Sequence, residues 1–172
     1  MTFTWSNLIE RATSVVDGRY TTTDWSTVDV LSFDRHIIAD ADASGITLVR
    51  DTLTERFTGG IDGDGRAEHI RHLRPDGSNT FVGIERVTAV IDGRLGSFSL
   101  TCHGTTATDG VVHGFWRVIP GSGANGLATL HGVGEFIARQ QPDGHFQAKD
   151  CFTHWYGQDD DAANCSVEFT ID

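Results

Sequence analysis

Four residues of this chain carry side chains suited to acid–base chemistry at spacings that can bring them together: Glu85, His69, Arg71 and His154. A carboxyl turned into an apolar interior is costly, and burial lifts its pKa toward the range useful for proton transfer. Histidine can shuttle a proton near neutrality or polarise a carbonyl. Arg71 has two readings: it tunes Glu85 within a site, or it neutralises Glu85 as part of the fold. Cys102 is a candidate nucleophile. Counting places no cation beside it to hold a thiolate, so a small buried hydrophobe is the plainer reading.

Turn signals decide which of these residues share a face. Asp92-Gly93 is a two-residue type I′ hairpin turn, because both central positions need positive φ. It pairs Val87 with Phe98, Glu85 with Leu100 and Gly83 with Cys102. RPDGS (74–78) reads as a type I turn with a glycine bulge, which sets Glu85 opposite Ala67, Gly83 opposite His69 and Phe81 opposite Arg71. His69 then lies diagonal to Glu85 on one face. QPDGH (141–145) repeats the bulged turn and pairs Gly132 with His154, Gly134 with Phe152 and Phe136 with Asp150. The 105–112 loop is less definite. An apolar match there pairs Phe98 with Val118, Leu100 with Trp116 and Cys102 with Gly114.

These pairings imply an apolar face built from Phe81, Val87, Phe98, Leu100, Trp116, Leu130, Phe136 and Phe152. Glu85, His69, Arg71, Cys102, Asp150 and His154 are the polar groups among them, with Glu85 the single carboxylate on the apolar face of its hairpin. Apolar walls with a few placed polar groups describe a small-molecule site. Glycines on the inner face (Gly83, Gly114, Gly132 and Gly134) leave space where side chains would fill the interior, so a cavity is expected.

The elements that must position this face are strands. Strand-like runs near 27–38, 45–58, 65–74, 79–91, 95–105, 111–119, 127–139 and 145–156 are separated by short Gly- and Asp-rich turns. Short connections make consecutive strands antiparallel neighbours, and about eight in a meander close a small barrel. Residues 5–16 place Trp5, Leu8, Ile9, Ala12 and Val16 at helical spacing, predicting a short amphipathic helix in an N-terminal extension over 1–26. The single barrel domain spans 27–172. Its end alternates as an extra strand, CSVEFTID, after the acidic loop QDDDAAN.

Composition narrows the partners. The 172 residues suit one domain with a real core. A formal net charge of -11 argues against nucleic acid and anionic membranes. No apolar run could span a bilayer as a helix, and the N-terminal residues lack the pattern of a signal peptide, so a cytoplasmic location is expected. Three cysteines without CxxC spacing form neither a disulfide framework nor a zinc signature. Among the eight histidines, His69 and His72 point to opposite sides of a strand. His103 and His113 fall opposite each other on the outer face but lack a third ligand. No metal and no cofactor are expected. PGSGANGL (120–127) lacks the GK[ST] ending of a phosphate loop and reads as a connection needing unusual backbone angles. A homodimer through the last strand or the outer face is compatible with the pattern, though no feature demands one.

The motifs FTGGIDGDGRAE (57–68), RPDGSNTFVGIERV (74–87), GRLGSF (93–98) and GFWRVIPGSGANGLATLHGVGEF (114–136) resemble a bacterial family catalogued as a domain of unknown function, DUF 3224. The resemblance covers roughly 45–148. It implies an eight-stranded antiparallel meander barrel of the allene-oxide-cyclase-like type. This chain differs in carrying Cys102 where the family usually has histidine, in the KDCFTHWYG ending of its last strand, and in its N-terminal segment. The implied kinship of shape with plant allene oxide cyclases and bacterial polyketide cyclases is analogy of fold.

The leading expectation is a metal-independent cyclase or isomerase acting on a small apolar metabolite of natural-product or polyketide type. Glu85, His69, Arg71 and His154 would be catalytic; Phe81, Phe98, Leu100, Cys102, Trp116, Phe136, Asp150 and Phe152 would bind the substrate. A non-catalytic barrel that carries an apolar ligand is the alternative, and a solidly packed assembly module is the third.

Overall fold

A computed structural model describes residues 22–157, with side chains from Asp24 onward, and a two-residue pairing of Val15–Val16 with Arg19–Tyr20 ahead of them. Eight strands form the barrel: β1 (Thr22–Ala39), β2 (Thr47–Gly59), β3 (Asp62–Leu73), β4 (Asn79–Ile91), β5 (Arg94–Thr106), β6 (Val112–Val118), β7 (Leu130–Gln140) and β8 (Phe146–Tyr156). Each pairs antiparallel with the next, and β8 returns to pair with β1, so the sheet closes without a crossover. Closure follows from the turns, since every connection but one is too short to do anything except reverse the chain. The helix expected over 5–16 lies outside the described residues except at its end, where Val15–Val16 is extended rather than helical. The expected last strand, CSVEFTID, also lies outside them.

Three of the four counted registers hold. Asp92 adopts φ 52° and Gly93 φ 73°, the left-handed pair that a type I′ turn requires, and Val87 faces Phe98 as expected. Phe81 faces Arg71, and Gly132 faces His154. The fourth is displaced by two residues: Leu100 faces Val118, Cys102 faces Trp116, and Gly104 faces Gly114. The reason is the turn. Ala107 N donates to Val111 O and Gly110 N to Ala107 O, so ATDGV folds as the same bulged turn as RPDGS. A slip of two keeps every side chain on its own face. It does separate His103 and His113, which face Phe115 and Thr105.

One end of the barrel is filled and the other is open. The connection between β6 and β7 folds back so that Ala124–Asn125 pairs with Gly96–Ser97, driving Leu127 into the barrel end. Leu127, Ile61, Ile91 and Leu130 form a plug with almost no exposed surface. Val87 and Phe98, both fully buried, belong to the same packed cluster. PGSGANGL therefore serves as a cap, and Asn125 supplies the unusual angle with φ 55°. At the opposite end the three bulged turns surround a mouth. There β1 outruns β8, whose pairing stops at Gln147 with Asp29, so the far part of β1 pairs only with β2.

Candidate functional site

Above the plug lies a cavity of about 520 Å³, within the size range of small-molecule sites. Its wall is mostly aromatic and aliphatic, with Phe57, Phe81, Leu100, Trp116 and Phe136 prominent. The inner-face glycines shape it in a way that differs from the expectation. Gly83, Gly114 and Gly134 do not leave voids; each accepts a ring from the neighbouring strand, whereas Gly132 meets none. A Cβ on Gly134 would strike the Trp116 indole, one on Gly114 the Phe136 ring, and one on Gly83 the His69 ring. Rings that lie flat against glycine backbone leave the lumen clear.

The cavity floor holds acids. Glu85 lies where counting placed it, buried and facing inward, but it is not alone. Glu55 comes from β2, where Val49, Asp51, Leu53, Glu55 and Phe57 alternate along the inner side of the strand. It pairs with Gly65 on β3, two residues from Ala67, the partner of Glu85. Because Gly65 has no side chain, the Glu85 carboxyl lies across it and reaches Glu55. Burial drives the Glu85 pKa well above the ordinary carboxylate range, and the neighbouring Glu55 raises it further. Burial raises Glu55 as well, opposed by its hydrogen bond with Glu85 and by the charge of Arg71. Glu55 keeps some surface, which faces the cavity. Two close carboxyls in a dry site hold a proton between them. Among the described residues, Glu85 Oε1 has no hydrogen-bond partner.

Asp150 is the third acid. It is 1% exposed and accepts a 2.9 Å hydrogen bond from Trp116 Nε1, while its Oδ2 has no partner among the described residues. Burial raises its pKa to about 7, against the opposing effect of the Trp116 bond. Phe136 faces it across the β7–β8 pair, as counting predicted.

Arg71 does not neutralise Glu85. Its Nε donates to Asp51 Oδ2 at 2.7 Å, and Arg35 grips the same carboxylate through Nε at 2.8 Å and Nη2 at 2.9 Å. Arg71 also lies 4.5 Å over the Phe81 ring and donates to Asn79 Oδ1. Its Nη2 lies 3.2 Å from His69 Nδ1. Guanidinium can only donate, so Nδ1 accepts and the His69 proton sits on Nε2, aimed at Cys102 Sγ 3.3 Å away. His69 is neutral at pH 7, its pKa lowered to about 4 by burial first and by Arg71 second. The Cys102 thiol is pushed up to about 12 by burial and then by Glu85 and Glu55. It is therefore no nucleophile at neutral pH.

Of the residues expected in the site, Glu85, His69, Arg71, Phe81, Leu100, Cys102, Trp116, Phe136 and Asp150 border the cavity. His154, Phe98 and Phe152 do not. His154 sits toward the plugged end, where its Nε2 meets Asp92 Oδ2 of the hairpin turn at 2.7 Å. Phe152 is sandwiched between Trp116 and His154. Strand alternation put these residues on the inner face correctly; their height along the barrel places them in or beside the plug. Glu55, Asp51 and Arg35 were missed. The alternation of apolar residues and acids along LVRDTLTERF was the signal for the first two. Among the described residues, no three His, Cys, Asp or Glu side chains are grouped to hold a metal ion.

A search of curated proteins finds no match to this chain. Among solved structures, a protein with unknown function from the DUF3224 family of Shewanella oneidensis MR-1 is similar, with a TM-score of 0.64 and 25% identity. The likeness covers 80% of this chain and 98% of that one. The family model described as "Protein of unknown function (DUF3224)" matches residues 25–149, from near the start of β1 into the beginning of β8, and the chain belongs to that family.

Proposed function

We propose that the barrel is a cyclase or isomerase working by proton transfer on a small, largely apolar molecule enclosed in the cavity. Glu85 is its acid–base group and Glu55 is the partner that shares its proton. The observation that carries this reading is the buried Glu55–Glu85 pair at the floor of an apolar chamber, where Arg71 is engaged by Asp51 rather than by Glu85. Such a pair can deliver a proton to one atom of a substrate from the protonated carboxyl. The ionised partner then takes a proton from another atom, so the pair ends with its proton count unchanged. Phe81, Trp116 and Phe136 shape the chamber and fold a flexible substrate toward a reactive conformer, an orientation effect.

The test starts with native mass spectrometry of protein isolated from its own host, to identify a molecule retained in the barrel. That compound is then incubated with the wild type and with Glu85→Gln. The expected result is conversion by the wild type and a loss of about a hundredfold or more in the variant, with binding retained. Binding without conversion by either protein would instead make the barrel a carrier.

A further inference from the structure

The two ends of the cavity differ in charge. Its floor holds Glu85, Glu55 and Asp150. Its mouth holds Arg35 and Arg71, both bordering the cavity and both clamped on one fully buried carboxylate, Asp51. Two guanidinium charges against one carboxylate leave a positive charge in excess, and His69, the other titratable group touching Arg71, is neutral. Arg35 stands at the rim with its side chain 39% exposed, and its Nη1 is not engaged by Asp51. Asp51 holds both side chains in place, so they are organised before any ligand arrives. Phe33 and Phe146, half-exposed apolar residues, also border the cavity.

We propose that the ligand is an amphiphilic monocarboxylate, its carboxylate held at the mouth by Arg35 and Arg71 and its apolar portion reaching down to Glu85. This rests on the reading of the cavity as the site of proton transfer and names the substrate class that the site selects. The orientation follows from electrostatics: the ionised partner of the Glu55–Glu85 pair already gives the floor a negative charge that repels an anion, whereas the mouth attracts one. A planar guanidinium fork matches a carboxylate, and a single excess charge balances a monoanion. Reach is consistent too. Arg71 lies four residues along β3 from Ala67, the partner of Glu85, a separation of about 13 Å at strand rise. The carboxylate is thus a handle, remote from the atoms that react.

Titration calorimetry at pH 7.5 with decanoate, decanol and decyl phosphate tests this without the natural substrate. The wild type should bind decanoate about tenfold or more tightly than decanol, as expected for a charge-assisted contact. Arg35→Gln, at the rim where folding is least affected, should erase that preference and leave decanol binding unchanged. Arg71→Met should do the same, and Glu85→Gln should keep the preference. Equal binding of decanoate and decanol, or a preference that survives both arginine substitutions, overturns the carboxylate handle and leaves the acid pair intact as a hypothesis. Tighter binding of decyl phosphate assigns the mouth to a different anion and overturns the stated class. If no probe binds, the handle and the cavity reading fall together.

Discussion

Glu85 reaches Glu55 by lying across Gly65, the β3 residue paired with Glu55. The contact between two acids from strands that are not neighbours exists only because the intervening strand has no side chain at that point. A methyl group on Gly65 would collide with the Glu85 carboxyl and press on the Phe57 ring.

Gly65→Ala should therefore destabilise the protein by about 1–3 kcal/mol, the usual range for an overpacked interior. Urea denaturation measures it. Combining Gly65→Ala with Glu85→Ala should cost less than the two changes added, because the second removes the atoms that the first strikes. Full additivity would mean that the carboxyl does not occupy the glycine gap.

The buried acids also set a pH dependence whose sign is fixed. Glu85, Glu55 and Asp150 have folded pKa values above the ordinary carboxylate range, with Asp150 at about 7. The folded protein keeps protons there that the unfolded chain releases, so this stability is full in acid and is lost as pH rises. His69 acts in the opposite direction. Its pKa of about 4 lies below the ordinary 6.5, so its share is lost as pH falls between those values. From pH 8 down to 6.5 the acids dominate, and the urea midpoint should rise. Asp150→Asn and Glu85→Gln should each shrink that rise. A midpoint that falls over this interval would contradict the protonation states assigned to the floor.

How much was legible in the sequence depended on which strands were tied by readable turns. Asp92-Gly93 and the RPDGS turn fixed β3, β4 and β5 against one another, so Glu85, His69 and Arg71 could be placed by counting. ATDGV has the same Asp-Gly ending as RPDGS, but the sequence of the 105–112 loop fixes its hairpin less tightly, and the apolar match sets β6 two residues from its observed register. Between β2 and β3 the chain turns through Gly59, Gly60 and Ile61, with Gly59 at φ 122°, and those three residues carry no Asp-Gly hairpin signal of the kind that sets the other registers. The register of β2 was therefore open, and with it the positions of Glu55 and Asp51. β1 carries irregularities between Val30 and Ser32 and between Ile37 and Ala39, which break the alternation that would place Arg35. The acid pair and the arginine clamp both depend on those two strands.

The arginine clamp makes a prediction about stability that separates its members. Asp51 is fully buried between two cations, whereas Arg35 is at the rim. Asp51→Ala leaves Arg71 charged, mostly buried and without its carboxylate, and should cost about 3–5 kcal/mol. Arg35→Ala leaves the Asp51–Arg71 pair in place and should cost about 1 kcal/mol or less, as for an exposed ion pair. Thermal denaturation of the two variants beside the wild type gives the comparison. Similar losses in both would mean that Arg35, rather than Arg71, is the principal partner of Asp51.

The aromatic wall offers the sharpest link between one atom and the space available to a ligand. The Trp116 indole lies over Gly134, and from that position its Nε1 reaches Asp150. In Gly134→Ala the new methyl displaces the ring from the wall toward the lumen, which shrinks the cavity and takes from Asp150 the donor its Oδ1 now has. The expected loss is about 1–3 kcal/mol in stability, together with weaker binding of decanol. Gly132→Ala is the control on the same strand. There the added carbon meets Thr153 O at 3.3 Å and the Val118 and His154 side chains at 3.4 and 3.5 Å, and no ring lies in its way. It should leave decanol affinity nearly unchanged. If Gly134→Ala binds decanol as well as Gly132→Ala does, Trp116 does not set the volume of the chamber.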